Sequence, residues 1–328
     1  MTDLRHGRER EAAVAALLRR IHDLLPEADK QTAHQHLVSR LLLDRFAVPG
    51  GPGSGKQVQQ PFDVQFPDRR PRRRHPRDAG WVLDFVPFAS ASLEEFWNRV
   101  ETPAATGLRA LDDGALFDHP AHVQALQDLM ALHWIRSHRY LALHTQSFAQ
   151  AIAARRDALL FDGSGLLRAA AAEVTGLHVT GRQGLELVAE KLLAPSVKLF
   201  ASGALLRARM EEMYEQAREF TRRAGLEVVV PQEGEFLIGD SPAITLRSEG
   251  NTVHYGMALG DAGTLVLPVG PRHLIALGPE HRELRIARED VDRINEVQVR
   301  AAEQHVFCRP GSPLERFAPA AARRRAQG

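Results

Sequence analysis

Apolar residues recur every three or four positions through most of the first 224 residues, and only after that do they alternate or run together. Ala12, Ala16, Ile21, Leu24 and Leu25 make one face of a helix over residues 9–25, which Pro26 ends. The next apolar run predicts a helix over 33–47, stopped by Pro49, with His36, Arg40 and Leu43 on one face. Residues 48–78 are irregular apart from a short strand over 58–64. Helical spacing returns over 92–110, where Pro103 kinks the run or begins a new turn. It continues over 119–156, the longest segment. Shorter helices follow at 166–175 and 183–193. A charged helix over 201–224 closes at Gly225 as a C-cap.

The texture then changes. LEVVVP, EFLIGDSPAITL and GTLVLPVGPRHLIALG are rich in β-branched residues and punctuated by Gly and Pro, so they predict three or four antiparallel strands. The class is therefore α+β, read as a single domain over 1–328. A helical body spans 9–224, a β-rich insertion 226–278, a closing helix 286–307, and a frayed tail 316–328.

Composition excludes more than it assigns. The chain has 328 residues, 44% of them hydrophobic, and a net charge of +1, so charge alone points neither to nucleic acid nor to a membrane. The single cysteine, Cys308, excludes an intramolecular disulfide and a Cys-rich zinc site, and it reads as a packing residue. No apolar leader and no bilayer-length apolar run occur, so a cytoplasmic protein without a membrane partner is expected. Gly50 to Lys56 imitates a phosphate-binding loop but lacks the preceding strand, the Ser or Thr after the Lys, and the following helix. His133 and His138 are five apart, not the four that a two-histidine zinc helix needs. No nucleophile elbow and no dinucleotide fingerprint is present.

Five places could carry chemistry. Gln35, His36 and Arg40 suit an anionic group, against a reading as solvated or capping residues. Glu101 on a mostly apolar helix could be a general base, a metal ligand or the partner of an arginine. Arg136 and Arg139, three apart, could clamp a phosphate or carboxylate, or pair with acids of this chain such as Glu101. Asp240, followed by Ser241 and Pro242, could form an Asx-turn or act as a base or cation ligand. The loop with Arg69, Arg70, Arg72, Arg73, Arg74 and Arg77 could contact phosphates or be a solvated hairpin tip; it lacks interleaved aromatics.

QHLVSRLLLDRFA, residues 35–47, resembles the opening signature of the bacterial domain-of-unknown-function family 4238, close to Q-H-Y-V-P-R-x-Y-L-R-x-F. Gln35, His36, Val38, Arg40, Leu43 and Phe46 carry the match. Ser39 stands where the family usually has Pro, and Leu37 and Leu42 where it tends to have Tyr. VETPAATGLRAL (100–111) resembles its acidic motif, LHWIRSHR (132–139) its L-Q-x-x-R-T-x-R helix, and FLIGDSPAITL (236–246) its S-D-N-P-hydrophobic strand. His133 falls where the family tends to have Gln, which speaks against an essential ligand there. The resemblance brings no activity with it.

Taken together, His36, Arg40, Glu101, Arg136 and Asp240 are expected to share one cleft. His36, Glu101 and Asp240 would be catalytic, and Gln35, Arg40, Arg136, Arg139 and Ser241 would bind substrate. That donor set suits a hydrolase-like enzyme acting on a small-molecule or nucleic-acid phosphate, by acid–base chemistry or with one divalent metal ion. The alternative is a non-catalytic partner-binding module of a defence or toxin–antitoxin system, with the same residues as a structural polar cluster.

Overall fold

The computed structural model describes residues 2–30, 32, 34–50, 57–176, 178–179, 181–250 and 252–327. The imitation phosphate loop, from residue 51 to Lys56, lies outside them. Helix α1 spans Thr2–Leu24. A short β1 (His34–His36) and α2 (Arg40–Leu43) follow, then β2 (Val48–Pro49), β3 (Gln57–Val58), β4 (Gln60–Asp63) and β5 (Trp81–Leu83). Six helices come next: α3 (Ser90–Asp112), α4 (Pro120–Ile135), α5 (His138–Phe161), α6 (Ser164–Thr175), α7 (Arg182–Ala201) and α8 (Ala204–Arg223). Strands β6 (Gly225–Pro231), β7 (Ile238–Gly239), β8 (Ile244–Glu249), β9 (Thr252–Tyr255), β10 (Thr264–Gly270), β11 (His273–Gly278) and β12 (Arg282–Ile286) build the β-rich part. The described chain ends with α9 (Arg288–Ala301), β13 (His305–Cys308) and α10 (Leu314–Gln327). The class is α+β.

The chain forms two compact units. One takes Met1–Gln31, Val86–Ser90 and Leu141–Arg209. It is helical. Ile21 of α1 packs with Ala204 and Ala208 of α8, and Leu167 of α6 packs with Leu185 and Ala189 of α7. Phe148 stacks on Phe200 with centroids 4.1 Å apart.

The other unit takes Thr32–Phe85, Ala91–Tyr140 and Met210–Gly328. Its main sheet has the order β12-β6-β11-β10-β8-β9, antiparallel except for the parallel β12–β6 pair. Val229, Phe236, Ile244, Val266, Leu274 and Ala276 pack on Val291 of α9. A second sheet, β4-β13-β7, packs through Phe62, Val306 and Cys308 on Ala318, Ala321 and Ala322 of α10. Burial pushes the Cys308 thiol up to about 12, as its packing role requires. Among the described residues no helix is long and apolar enough to cross a membrane.

Several elements differ from their sequence reading. Residues 34–36 are not helical: β1 pairs antiparallel with β5, His36 opposite Trp81, and helix resumes only at Arg40. His36 and Arg40 therefore do not share a helical face. The long run over 119–156 breaks between α4 and α5, where Arg136 leaves the helical region at φ −87 and ψ 47. Gly225 does not cap α8; it opens β6, where a Cβ would run into the Glu280 backbone. The closing helix is α9 alone, and the residues expected to continue it form β13. The tail expected to fray is α10, held by its buried alanine stripe.

Candidate functional site

The polar centre lies where β1 leads into α2, beside α3 and the end of α4. Ser39 is buried in extended backbone ahead of α2. Its Oγ donates to Glu101 Oε1 at 2.7 Å and accepts from Arg136 Nη2 at 3.0 Å. Arg136, 1% exposed, also donates from Nη1 to Glu101 at 2.8 Å and from Nε to the Leu37 carbonyl at 3.2 Å. Its guanidinium lies 4.7 Å from the centroid of the Trp97 ring, a cation–π contact. The break after α4 lets Arg136 turn inward to reach these partners.

His133 completes the network. Its Nδ1 meets the Leu129 carbonyl at 3.0 Å, which makes Nδ1 the protonated nitrogen. Nε2 then accepts from the Ser39 backbone N–H at 3.2 Å and from Arg136 Nη2 at 3.2 Å. Full burial, with Arg136 next to it, pushes the imidazole pKa down to about 3, so His133 is neutral near pH 7. Burial alone would raise the Glu101 carboxyl, but Arg136, His133 and Ser39 together hold it below its usual range. Ser39, Glu101, His133 and Arg136 are thus paired with one another, while the buried Trp97 Nε1 has no partner among the described residues.

The front of the centre is less fully paired. His36 is half-buried, and its ring hydrogen-bonds to the Arg77 backbone. Its Nε2 is buried and has no partner among the described residues, so Nδ1 is the atom that faces Arg77. Burial lowers its pKa, and Arg136 adds to this, while the Arg77 bond and Glu101 oppose it. Glu94 of α3 accepts a hydrogen bond from the His36 backbone, yet its buried Oε1 has no partner among the described residues. Burial raises its pKa to about 7 against the pull of Arg136, with Glu101 adding to the rise. Glu94 is thus a carboxylic acid poised to give or take a proton near neutrality.

The remaining sequence candidates lie elsewhere. Gln35 is fully buried and donates to the Thr32 carbonyl at 3.2 Å. Arg40 is exposed and pairs with Asp44 at 3.4 Å. Arg139 donates to the Gly256 carbonyl at 2.8 Å, so the Arg136–Arg139 clamp does not form. Asp240 is buried, and its carboxylate accepts from the backbone N–H groups of Glu303, Gln304 and His305 at 2.7, 2.7 and 2.8 Å. It is an anchor between α9 and β13, with both oxygens occupied. The expected Asx-turn and the expected cleft base both give way to that role. Ser241 is buried beside it. The shared cleft therefore reduces to His36, Glu101 and Arg136, to which the structure adds Ser39, Glu94 and His133. Among the described residues no group of three or more His, Cys, Asp or Glu side chains is gathered as a metal site requires.

A second feature adjoins it. Arg69, Arg70, Arg72 and Arg74, with Pro61, Asp63, Pro71 and His305, line a cleft of about 650 Å³. The loop is tied at Arg74, whose backbone N–H and carbonyl both bond to Gln59, and its far end carries the Arg77 backbone that holds His36. Two residues, His75 and Pro76, separate Arg74 from Arg77, so their Cα atoms lie at most about 11 Å apart.

The family model described as "Protein of unknown function (DUF4238)" matches residues 34–312. The chain belongs to this family. No curated protein and no solved structure matches it. Two positions that depart from the DUF4238 signature, Ser39 and His133, are in contact. The Ser39 backbone N–H that donates to His133 Nε2 is a group a proline there would lack. Glu94 escaped the sequence reading because nothing in SLEEFW separates it from Glu95, which faces solvent; the helical offset of seven to Glu101 was the one available signal.

Proposed function

We propose that this DUF4238 protein is a hydrolase-like enzyme that acts by acid–base chemistry on a phosphate-containing substrate, with nucleic acid as the polymer of that class. The observation that carries the reading is two buried titratable atoms with no partner among the described residues, His36 Nε2 and Glu94 Oε1, both within the field of Arg136. A neutral imidazole with a free Nε2 lone pair is a base, and a carboxyl with a pKa near 7 is an acid at neutral pH. In the step proposed, His36 removes a proton from water as its oxygen bonds to phosphorus. The bond from phosphorus to the leaving oxygen breaks, and Glu94 protonates that oxygen. Proton return from His36 through solvent resets both groups. Glu101 and Arg136 take no part in proton transfer; they fix the wall on which His36 sits. The donor set favours this route over metal-assisted hydrolysis.

The second reading, a non-catalytic partner-binding module, draws on the complete pairing of Ser39, Glu101, His133 and Arg136. A purified-protein assay separates them, using an aryl phosphate monoester, an aryl phosphate diester, a nucleoside triphosphate and a single-stranded oligonucleotide, with and without divalent ions. Turnover of at least one is expected. Glu94→Gln should lower kcat by about 10²- to 10⁴-fold with the melting temperature unchanged or raised. Absence of turnover throughout would favour the module, and an unchanged kcat in Glu94→Gln would remove Glu94 as the proton donor.

A further inference from the structure

We propose that the cleft lined by Arg69, Arg70, Arg72 and Arg74 binds the backbone of single-stranded nucleic acid, with Phe66 as a stacking platform for a base; this deepens the hydrolase reading by naming the substrate class. The charge is uncommitted. Arg69 shares Asp63 at 3.4 Å, but among the described residues no ion pair engages Arg70, Arg72 or Arg74. All four arginines are exposed, and burial keeps the pKa of His305, on the cleft wall, below its usual value. The lining therefore carries four positive charges against one negative near pH 7.

The aromatic that the linear order appears to withhold is supplied in space. Phe66 is 58% exposed, and the Arg69 guanidinium lies 5.3 Å from its ring centroid. An exposed ring, with one face under the Arg69 guanidinium and set beside a row of arginines, is a combination that can hold single strands, with charge tracking the backbone and the ring's other face taking a base. The loop is also preorganised. Asp63 Oδ1 accepts from the backbone N–H groups of Gln65 and Phe66, both at 3.0 Å, Asp68 pairs with Arg323 at 2.8 Å, and Pro67, Pro71 and Pro76 stiffen the path. Strand alternation puts Gln59 on the side of Pro61 and Asp63. Gln59 is fully buried, and neither of its amide atoms has a partner among the described residues. A volume of about 650 Å³ suits one or two nucleotides and not a duplex.

Fluorescence anisotropy of the full chain with a labelled twelve-residue oligothymidylate tests this. Binding should weaken with salt, with a log–log slope of about −2 to −3 for three or four phosphate contacts. Replacing Arg70, Arg72 and Arg74 by Gln alters only exposed side chains; with melting temperature unchanged, it should flatten the slope by about 2. Phe66→Ala should weaken binding by about tenfold or more while leaving the slope alone. No binding at low salt, or a triple variant that binds like the wild type, would overturn the proposal. So would equal competition by inorganic polyphosphate with no effect of Phe66→Ala, which marks a general anion site, or equal affinity for duplex. Binding without turnover would leave this site standing and remove the catalytic reading. Turnover unaffected in the triple variant would do the reverse.

Discussion

At the scale of single residues, the decisive fact is which polar atoms have partners. Arg136 and Glu101 were legible as a pair, because an arginine and a carboxylate on apolar helices seldom stay apart. Ser39 and His133 stood out only as departures from a signature, and their hydrogen bond depends on a chain reversal that spacing does not encode. Two outcomes follow. His133 binds its proton far less readily folded, at about 3, than unfolded, at roughly 6.5. A lowered folded pKa gives stability that is present above the unfolded value and is lost as pH falls toward the folded one. Wild type should therefore lose about 2 to 3 kcal/mol more than His133→Gln between about pH 6.5 and 4.5, measured by urea unfolding. Equal acid sensitivity would mean that His133 is not buried as described. Asp240→Asn cannot replace all three backbone acceptor contacts, so it should cost about 2 to 4 kcal/mol and lower the melting temperature by several degrees. An unchanged melting temperature would contradict the anchor.

At the scale of elements, the long amphipathic helices were readable and the short ones were not. α1, α3 and α8 follow their 3.6-residue apolar period, and Pro103 is carried within α3. Residues 34–36 lie in a run whose apolar spacing fits a helix but pair with β5, and three residues hold too little local preference to resist such pairing. β13 was hidden because its apolar residues fit the end of a helix as well as a strand, and its pairing with β4 is distant in sequence. Gly225 shows a glycine read for the wrong reason. Its role is close approach, so Gly225→Ala should cost about 2 kcal/mol or more by clash with Glu280, whereas loss of a simple C-cap would leave β6–β12 pairing intact. Amide exchange in β6 and β12 distinguishes the two: faster exchange in both strands is expected, and unchanged exchange would restore the cap reading.

At the scale of the whole molecule, the α+β class was legible from the switch in period near residue 224, but the interleaving of two units was not. Val86–Ser90 and Leu141–Arg209 join the N-terminal helix, a return of the chain that no local pattern marks. The candidate site draws on segments from residue 36 to residue 136, so only a folded chain brings Glu94 to the His36 backbone. Glu94 leaves a global signature. Its folded pKa is raised from the ordinary carboxyl value of 4.5 to about 7, so its stabilising share is complete at low pH and is lost as pH rises through that window. Relative to wild type, Glu94→Gln should gain roughly 1 to 2 kcal/mol between about pH 5 and 8, after allowance for solvent screening.

The most direct measurement is the titration of Glu94 itself, followed by the carboxyl carbon resonance in ¹³C-glutamate-labelled protein and assigned by its loss in Glu94→Gln. A midpoint near 7 is expected, as the proposed role of Glu94 as proton donor requires. A midpoint in the ordinary carboxylate range, near 4.5, would contradict the account, because Glu94 would then be ionised at neutral pH and have no proton to give.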